Sequence, residues 1–412
     1  MSIYQELEWR GLISNITNLD KLKKFDETHG SVYIGFDPSF DSLHLGNYNM
    51  LLILKRLKLL GYKPYALIGG ATGLIGDPSG KKHERQILSL EQIKTNVQKI
   101  TKQINTITGV SVINNNTFYQ NINLFDFLRD VGKLINVNYL LEKESIKLRL
   151  ETGISFSEFT YGLIQGYDFA HLYQNNHITL QIGGSDQWGN ITTGIELIRK
   201  ICGEQNDACG LTINLLTKAD GTKFGKSESG AVYLDASYTS PYQLYQFLIN
   251  QSDKDVIKLL KFLTFYTKDE IAHIIKTHED NVKKRYAQKQ LAKAVVQDIH
   301  GAKAVINSEF ISAAFFEDRI DTLSVPQLIE ALKDSESFVT KKNQYDIVTL
   351  LVESKICASK TAARKLIDEK AIYVNKELVN DYSMLITKAN ALDQKISYIK
   401  KGKRNYYLVI WQ

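Results

Sequence analysis

The stretch Ser31-Val32-Tyr33-Ile34-Gly35-Phe36-Asp37 is apolar, β-branched and aromatic, and it runs into Asp37-Pro38, which predicts a buried strand stopped by a turn. Residues 51–60 carry leucines on every face and close at Gly61, the signature of a buried helix; residues 65–70 then read as a second buried strand. Strand, helix, strand implies a parallel pair. The apolar run at 177–184, followed by a helical pattern at 190–200, repeats the unit and predicts an open α/β sheet, whose ligands bind beyond the carboxyl ends of its strands. From about 240 to 332 apolar residues recur at helical spacing with Lys, Asp and Glu between them, which predicts a helical domain. Residues 334–343 are polar and without period, as a linker would be, and Asn114-Asn115-Asn116 reads simply as a loop.

Composition narrows the class. A chain of 412 residues holds two or three domains, and 43% hydrophobic with 23% charged residues excludes a disordered or fibrous protein. The start, Met1-Ser2-Ile3-Tyr4-Gln5-Glu6, has no basic flank before an apolar run, and no later stretch approaches the roughly 18 uninterrupted apolar residues of a membrane span. A cytoplasmic protein without membrane contact is expected. Cys202, Cys209 and Cys357 form neither a CxxC pair nor an even framework, so reduced thiols and no structural zinc are expected. Charge is unevenly placed: residues 341–412 hold 14 Lys and Arg against 7 Asp and Glu, whereas the remainder holds 37 against 38. A basic terminal module on a near-neutral body suits a polyanion, nucleic acid above all, although a lysine-rich solvated surface gives the same arithmetic.

Two stretches carry phosphate chemistry. Gly35-Phe36-Asp37-Pro38 leads to His44-Leu45-Gly46-Asn47 where a strand gives way to a helix, and a helix N-terminus offers free N–H groups and partial positive charge. Lys223-Phe224-Gly225-Lys226-Ser227 is a glycine-flanked basic loop whose two lysines and hydroxyl can close over a triphosphate and stabilise charge as it develops. Alone, the first is also a plain turn with a capping histidine and the second an exposed charged turn.

Together, HxGx early and KxxKS late in an α/β chain resemble the two signatures of class I aminoacyl-tRNA synthetases. The stretches Tyr33-Ile34-Gly35-Phe36-Asp37-Pro38, Gly69-Gly70-Ala71-Thr72-Gly73-Leu74-Ile75-Gly76-Asp77-Pro78-Ser79-Gly80 and Gly183-Gly184-Ser185-Asp186-Gln187-Trp188-Gly189-Asn190-Ile191 narrow the resemblance to the bacterial tyrosyl-tRNA synthetase family over nearly the whole chain. The resemblance implies a Rossmann-like parallel-sheet catalytic domain, a helical domain and a small α+β RNA-binding domain. The boundaries expected are 1–220 for the catalytic domain with a dimer-interface insertion, 221–335 for a mobile loop and helices, 336–344 for a linker and 345–412 for the basic module. It implies activation of L-tyrosine by ATP, with magnesium arriving on ATP, followed by transfer of tyrosyl to the 3′ end of tRNA(Tyr) by a homodimer, with Phe156 at the interface.

By the same resemblance, Tyr33, Asp77, Tyr161, Gln165, Asp168 and Gln187 bind tyrosine, Asp77 lying near the amine. Asp37, Ser39, His44, Gly46, Asn47, Gly184, Asp186, Lys223, Lys226 and Ser227 are assigned to ATP, with Lys81 and Arg85 beside the pyrophosphate. The catalytic groups among them are His44, Asn47, Lys81, Arg85, Lys223, Lys226 and Ser227. A carboxylate and a phenol at Asp168 and Tyr33 can pair with a substrate hydroxyl, and phenylalanine would leave them unpaired. From the residues alone, positions 161, 165 and 168 equally suit a polar helix face turned to solvent. The pattern departs from the family at Asn47, where the first signature usually ends in histidine, and at Met50, where relatives carry a small or polar residue. An asparagine amide still donates a hydrogen bond and is neutral at every pH. In the basic module, residues 359–367 and 371–375 resemble a small RNA-binding fold shared with a ribosomal protein, presenting Lys360, Arg364 and Lys365 to phosphate. A tryptophan-specific relative shares the fold, but the phenol and carboxylate pair suits a phenol better than an indole. An RNA-binding protein without catalysis is the other alternative, kept open by Asn47.

Overall fold

The computed structural model describes residues 1–80, 88–151, 153–222, 224–227, 230–333, 335–402 and 405–412, the side chains of Lys226 and Ser227 excepted. The chain divides into two compact units, one made of Met1–Thr239 with Ile249–Ile299 and the other of Ser240–Leu248 with His300–Gln412. The stretch of helical spacing is therefore divided: its two ends, Ser240–Leu248 and the part from His300, belong to the second unit, and Ile249–Ile299 belongs to the first.

In the first unit, strands β1 (Ile13–Ile16), β2 (Ser31–Phe36), β3 (Lys63–Ile68), β4 (Ser111–Asn114), β5 (Ile178–Gly184) and β6 (Cys209–Ile213) form one sheet in the order β1-β6-β5-β2-β3-β4. All pairs are parallel except β1 with β6. Burial on both faces explains why these strands read as unbroken apolar runs: Val32, Ile34, Ala66, Ile68, Leu180 and Ile182 are buried. The helix after β2 spans Leu45–Leu59, starting six residues before the leucine-rich stretch that announced it. The helix after β5 spans Trp188–Cys202. The chain runs from β2 to β3 and β4 on one side, then returns to lay β5 and β6 on the other, so the order reverses between β2 and β5.

Two buried arginines tie helices of this unit to one another. Arg10 and Arg56 share Glu6, which accepts from Arg10 Nε at 2.6 Å and lies 3.6 Å from Arg56 Nε. Arg10 also donates to the carbonyls of Lys261, Thr264 and Tyr266, and Arg56 to that of Thr264 at 2.6 Å. These carbonyls end the Asp253–Leu263 helix, whose last C=O groups have no partner within the helix. Burial, then the neighbouring Arg10, pulls the Arg56 guanidinium down to about 9.

The second unit carries helices Ala302–Phe316 and Val325–Ala331 and a sheet built from Glu377–Leu378, Ile372–Val374, Ile396–Lys401, Asn405–Trp411 and Ser337–Thr340, in that order. Ser337–Thr340 pairs parallel to Asn405–Trp411, so residues read as linker supply an edge strand; its alternate buried Thr340 and exposed Val339 explain the weak apolar signal. Helices Ile347–Glu353 and Lys360–Asp368 pack on a core of Ile347, Leu350, Leu351, Ile367, Ile372 and Trp411.

Glu6→Ala leaves two buried guanidiniums beside each other without their shared carboxylate. The expected outcome is a loss of about 3–5 kcal/mol, read as a lower thermal midpoint of the first unit; an unchanged midpoint would remove the clamp from the account.

Candidate active site

The carboxyl ends of four parallel strands deliver the polar residues. Asp37 follows β2, Thr72 and Asp77 follow β3, Asn115 follows β4, and Gly184 to Gln187 follow β5. The long helix Phe156–Asn176, capped by the Ser155 hydroxyl on the Glu158 N–H, crosses beside them and contributes Tyr161, Gln165 and Asp168. The alternative of a solvent-facing helix stripe fails at two of its three positions: Tyr161 is 3% and Asp168 1% exposed.

At the closed end, Tyr33 is 1% exposed and its hydroxyl has no hydrogen-bond partner among the described residues. Its phenol is held well above its ordinary value, by burial first and then by the charge of Asp168. Asp168 accepts from Asn115 Nδ2 at 2.9 Å and from the Tyr119 hydroxyl at 2.7 Å. Burial outweighs these two bonds and pushes its carboxyl up to about 7. A buried phenol without a partner beside a carboxyl that resists ionising is a pair of groups waiting for a third polar atom.

Toward the open end, Tyr161 donates to Asp37 Oδ2 at 3.0 Å, and Thr72 to Asp37 Oδ1 at 3.2 Å. Asp77, 5% exposed, accepts from Gln187 Nε2 at 2.7 Å and from the Ser79 N–H at 2.8 Å. Asn190 Nδ2 lies within 3.3 Å of Ser79 Oγ, Gln165 Oε1 and Gln187 Oε1, linking the two glutamines to the loop after β3. Burial raises the Tyr161 phenol well above its ordinary value, and the charges of Asp37 and Asp77 raise it further. Two carboxylates at this end, Asp37 and Asp77, make a negative field suited to an ammonium group.

The phosphate stretches also meet. Gly225 has φ +89°, and a Cβ on it would lie 2.9 Å from the Gly46 amide nitrogen, so the basic loop rests on the backbone of the helix start. The Leu45 N–H donates to the Val232 carbonyl at 2.7 Å, and the Val232 N–H to the Gly225 carbonyl at 2.9 Å. His44 is exposed, and Asn47 Oδ1 accepts its backbone N–H at 3.1 Å, which turns the amide NH2 of Asn47 to other use. Ser39 is exposed and Asp186 partly so, Asp186 lying against Gly184 at the end of β5. Gly35 meets open space, which leaves the backbone of β2 accessible. Met50 is half-buried. Lys81, Arg85 and Lys223, and the side chains of Lys226 and Ser227, lie outside the described residues.

Lys360, Arg364 and Lys365 are all exposed on their helix, whose opposite face buries Ala363 and Ile367. Asn115, Tyr119 and Asn190 escaped the sequence reading; only the Asn run at the end of a strand, and the position of Asn190 inside its glycine-rich motif, hinted at two of them. Among the described residues, no group of three or more His, Cys, Asp or Glu is placed to hold a metal ion, and no helix is long and apolar enough to cross a membrane. The three cysteines are unbridged.

Residues 26–317 match the family of class I tRNA synthetases for W and Y, and residues 327–409 match the C-terminal domain of tyrosine–tRNA ligases of the SYY type. The chain is 52% identical to the tyrosine–tRNA ligase of Ureaplasma parvum serovar 3 over 410 residues, covering 100% of this chain and 99% of the relative. It is 45% identical to that of Mycoplasma mycoides subsp. mycoides SC, with 99% of each covered. A C-terminally truncated Aspergillus nidulans mitochondrial tyrosyl-tRNA synthetase superposes with a TM-score of 0.70 at 29% identity, over 76% of this chain and 94% of that one. By sequence over its full length and by fold, the chain belongs to the class I tRNA synthetases, within their tyrosine–tRNA ligase family.

Proposed function

We propose that the pocket between β2 and β5 takes tyrosine phenol-first, and the observation that carries this reading is the buried, unpartnered hydroxyl of Tyr33 beside Asp168. The chain is a tyrosine–tRNA ligase that makes tyrosyl-adenylate and then tyrosyl-tRNA. The substrate phenol completes the hydrogen bonds of Tyr33 and of Asp168, the latter held in place by Asn115 and Tyr119. A substrate without the hydroxyl leaves the Tyr33 hydroxyl buried and unpaired, at roughly 1–3 kcal/mol, and adds no third bond to Asp168. The ammonium lies by Asp77, with Tyr161, Gln165 and Gln187 around it, and its charge offsets those of Asp37 and Asp77.

The tyrosine carboxylate then attacks the α-phosphorus of ATP and pyrophosphate departs. No side chain is consumed as nucleophile. Rate comes from alignment and from donors aimed at developing charge: His44, Asn47, Lys223, Lys226 and Ser227, with Lys81 and Arg85 on the pyrophosphate side. Asp37, Ser39, Gly46, Gly184 and Asp186 line the nucleotide, and open backbone at Gly35 gives it room. Magnesium comes with ATP, supplying charge neutralisation on its phosphates, and no zinc is required. The exposed Lys360, Arg364 and Lys365 hold tRNA phosphates. The domain limits expected from sequence stand as part of this proposal, with catalysis in the sheet and tRNA binding in the basic module.

A homodimer is supported by large apolar side chains left exposed between β4 and β5: Leu124 at 66%, Phe125 at 79%, Leu148 at 67% and Phe156 at 76%. A monomeric mass in sedimentation would contradict it. The unbridged cysteines agree with a cytoplasmic setting, which fractionation of cells producing the protein checks.

ATP–pyrophosphate exchange by the purified protein should depend on tyrosine and stay at background with phenylalanine or tryptophan. Lys226→Ala should lower it about 100- to 1,000-fold; exchange with tryptophan equal to that with tyrosine would overturn the pocket assignment. A second outcome follows from Asp168. Its carboxyl, raised to about 7, is protonated in the free protein below that value, while a bound phenol donating to it favours the ionised form. Tyrosine affinity should therefore climb by up to about tenfold per pH unit as pH rises toward 7 and flatten above it. In Asp168→Asn the equilibrium binding curve should lose this slope; a slope that persists would place the titrating group elsewhere.

A further inference from the structure

We infer that Asp255 and Lys258, on the helix Asp253–Leu263, are positioning residues for the basic loop Lys223-Phe224-Gly225-Lys226-Ser227. This rests on the reading of that loop as the one that holds ATP phosphates. Asp255 is 8% exposed, and its carboxylate is divided between two segments: Oδ2 accepts from the Ser252 hydroxyl at its own helix start, while Oδ1 accepts the Ala219 backbone N–H at 2.7 Å. One turn on, Lys258 Nζ donates to the Thr217 carbonyl at 3.2 Å and lies 3.4 Å from the Thr217 hydroxyl. Both partners belong to the stem that leads directly into the loop.

A charged side chain buried on a single backbone N–H holds that N–H more firmly than a neutral acceptor does. Capping its own helix needs only the bond with Ser252, so the second oxygen is spent on the stem. The stem is stiff enough to transmit this: the Lys218 N–H donates to the Thr222 carbonyl at 2.8 Å, the Gly221 N–H to the Lys218 carbonyl at 2.9 Å, and the Asp220 carboxylate closes the turn on the N–H and hydroxyl of Thr222.

The other end of the same helix is bolted down as well. Its final carbonyls take Arg10 and Arg56, and Arg56 sits on the helix that begins at His44. One helix thus spans from the stem of the basic loop to the helix bearing the other phosphate signature. The far side of the loop is secured separately, where Val232 pairs with Gly225 and Leu45. Asp255 and Lys258 set the position from which the lysines reach the phosphates, and touch no substrate themselves.

The test is the single-turnover rate of tyrosyl-adenylate formation by the full-length protein, alongside tyrosine binding at equilibrium. Asp255→Ala should slow the step about 10- to 100-fold while tyrosine affinity stays within about twofold, since misplacement by about 1 Å has an effect of that order. Asp255→Asn, which keeps an acceptor for Ala219, should recover most of the rate. In a Lys226→Ala background the effect of Asp255→Ala should shrink below about threefold, because residues acting through one another do not add. An equal loss in both backgrounds, a parallel loss of tyrosine affinity, or a wild-type rate would overturn the inference. Should Asp255→Ala not fold, Lys258→Met decides by the same criteria. Lys226→Ala as fast as the wild type would instead overturn the reading of the loop, whatever Asp255 does.

Discussion

Everything in the first unit follows from the parallel hydrogen-bond ladder that seats β2 between β3 and β5. Parallel strands all end on the same edge, and the reversal of chain direction between β2 and β5 opens a crevice there that no crossover helix fills. Tyr33 pairs with Tyr65 on one side and Gln181 on the other. Its position along the sheet and the face its side chain takes are thereby fixed by the ladder on both sides. Asp37, Asp77, Asn115 and Gln187 come from four different loops, yet each loop leaves the sheet at the same edge. Long-range register, rather than any local motif, brings them together.

The crevice concentrates groups that folding ordinarily avoids. A buried hydroxyl is left unsatisfied, and a carboxyl is held near neutrality where it would ionise freely in water. Their cost is borne by the apolar sheet around them, and in the proposed mode of binding the substrate removes it. In the proposed mode of binding, affinity and selection share one origin, because the atoms that distinguish tyrosine from phenylalanine are the ones that would pair with Tyr33 and Asp168. The phosphate end works differently. There the protein offers exposed donors and backbone N–H groups near a helix start, where charge appears only as the reaction proceeds.

The strands β2, β3 and β5 were legible because burial on both faces writes continuous apolar runs, whereas β1 and β4, only partly buried, left no such run. The residues proposed for tyrosine were named through long motifs; local chemistry alone did not distinguish Tyr161 and Asp168, both buried, from a solvated helix face. Asn115 was not: a run of three asparagines looks like any loop, and only the end of β4 turns the middle one inward, where it is fully buried. Tyr119 was hidden for the same reason, since its partner Asp168 lies far along the chain. Ser337–Thr340 was hidden because an edge strand with one outward apolar residue resembles a polar connection. The clamp of Arg10 and Arg56 on Glu6 could not be read at all, because buried charge is visible only once three distant segments converge.

The most direct measurement is a crystal structure of the protein with a non-hydrolysable tyrosyl-adenylate analogue. The account places the phenol oxygen within about 3.2 Å of both the Tyr33 hydroxyl and the Asp168 carboxyl, with the ammonium on Asp77. The adenosine would then lie across Gly35 and Gly184. A phenol ring lodged elsewhere, leaving the Tyr33 hydroxyl still without a partner, would contradict it.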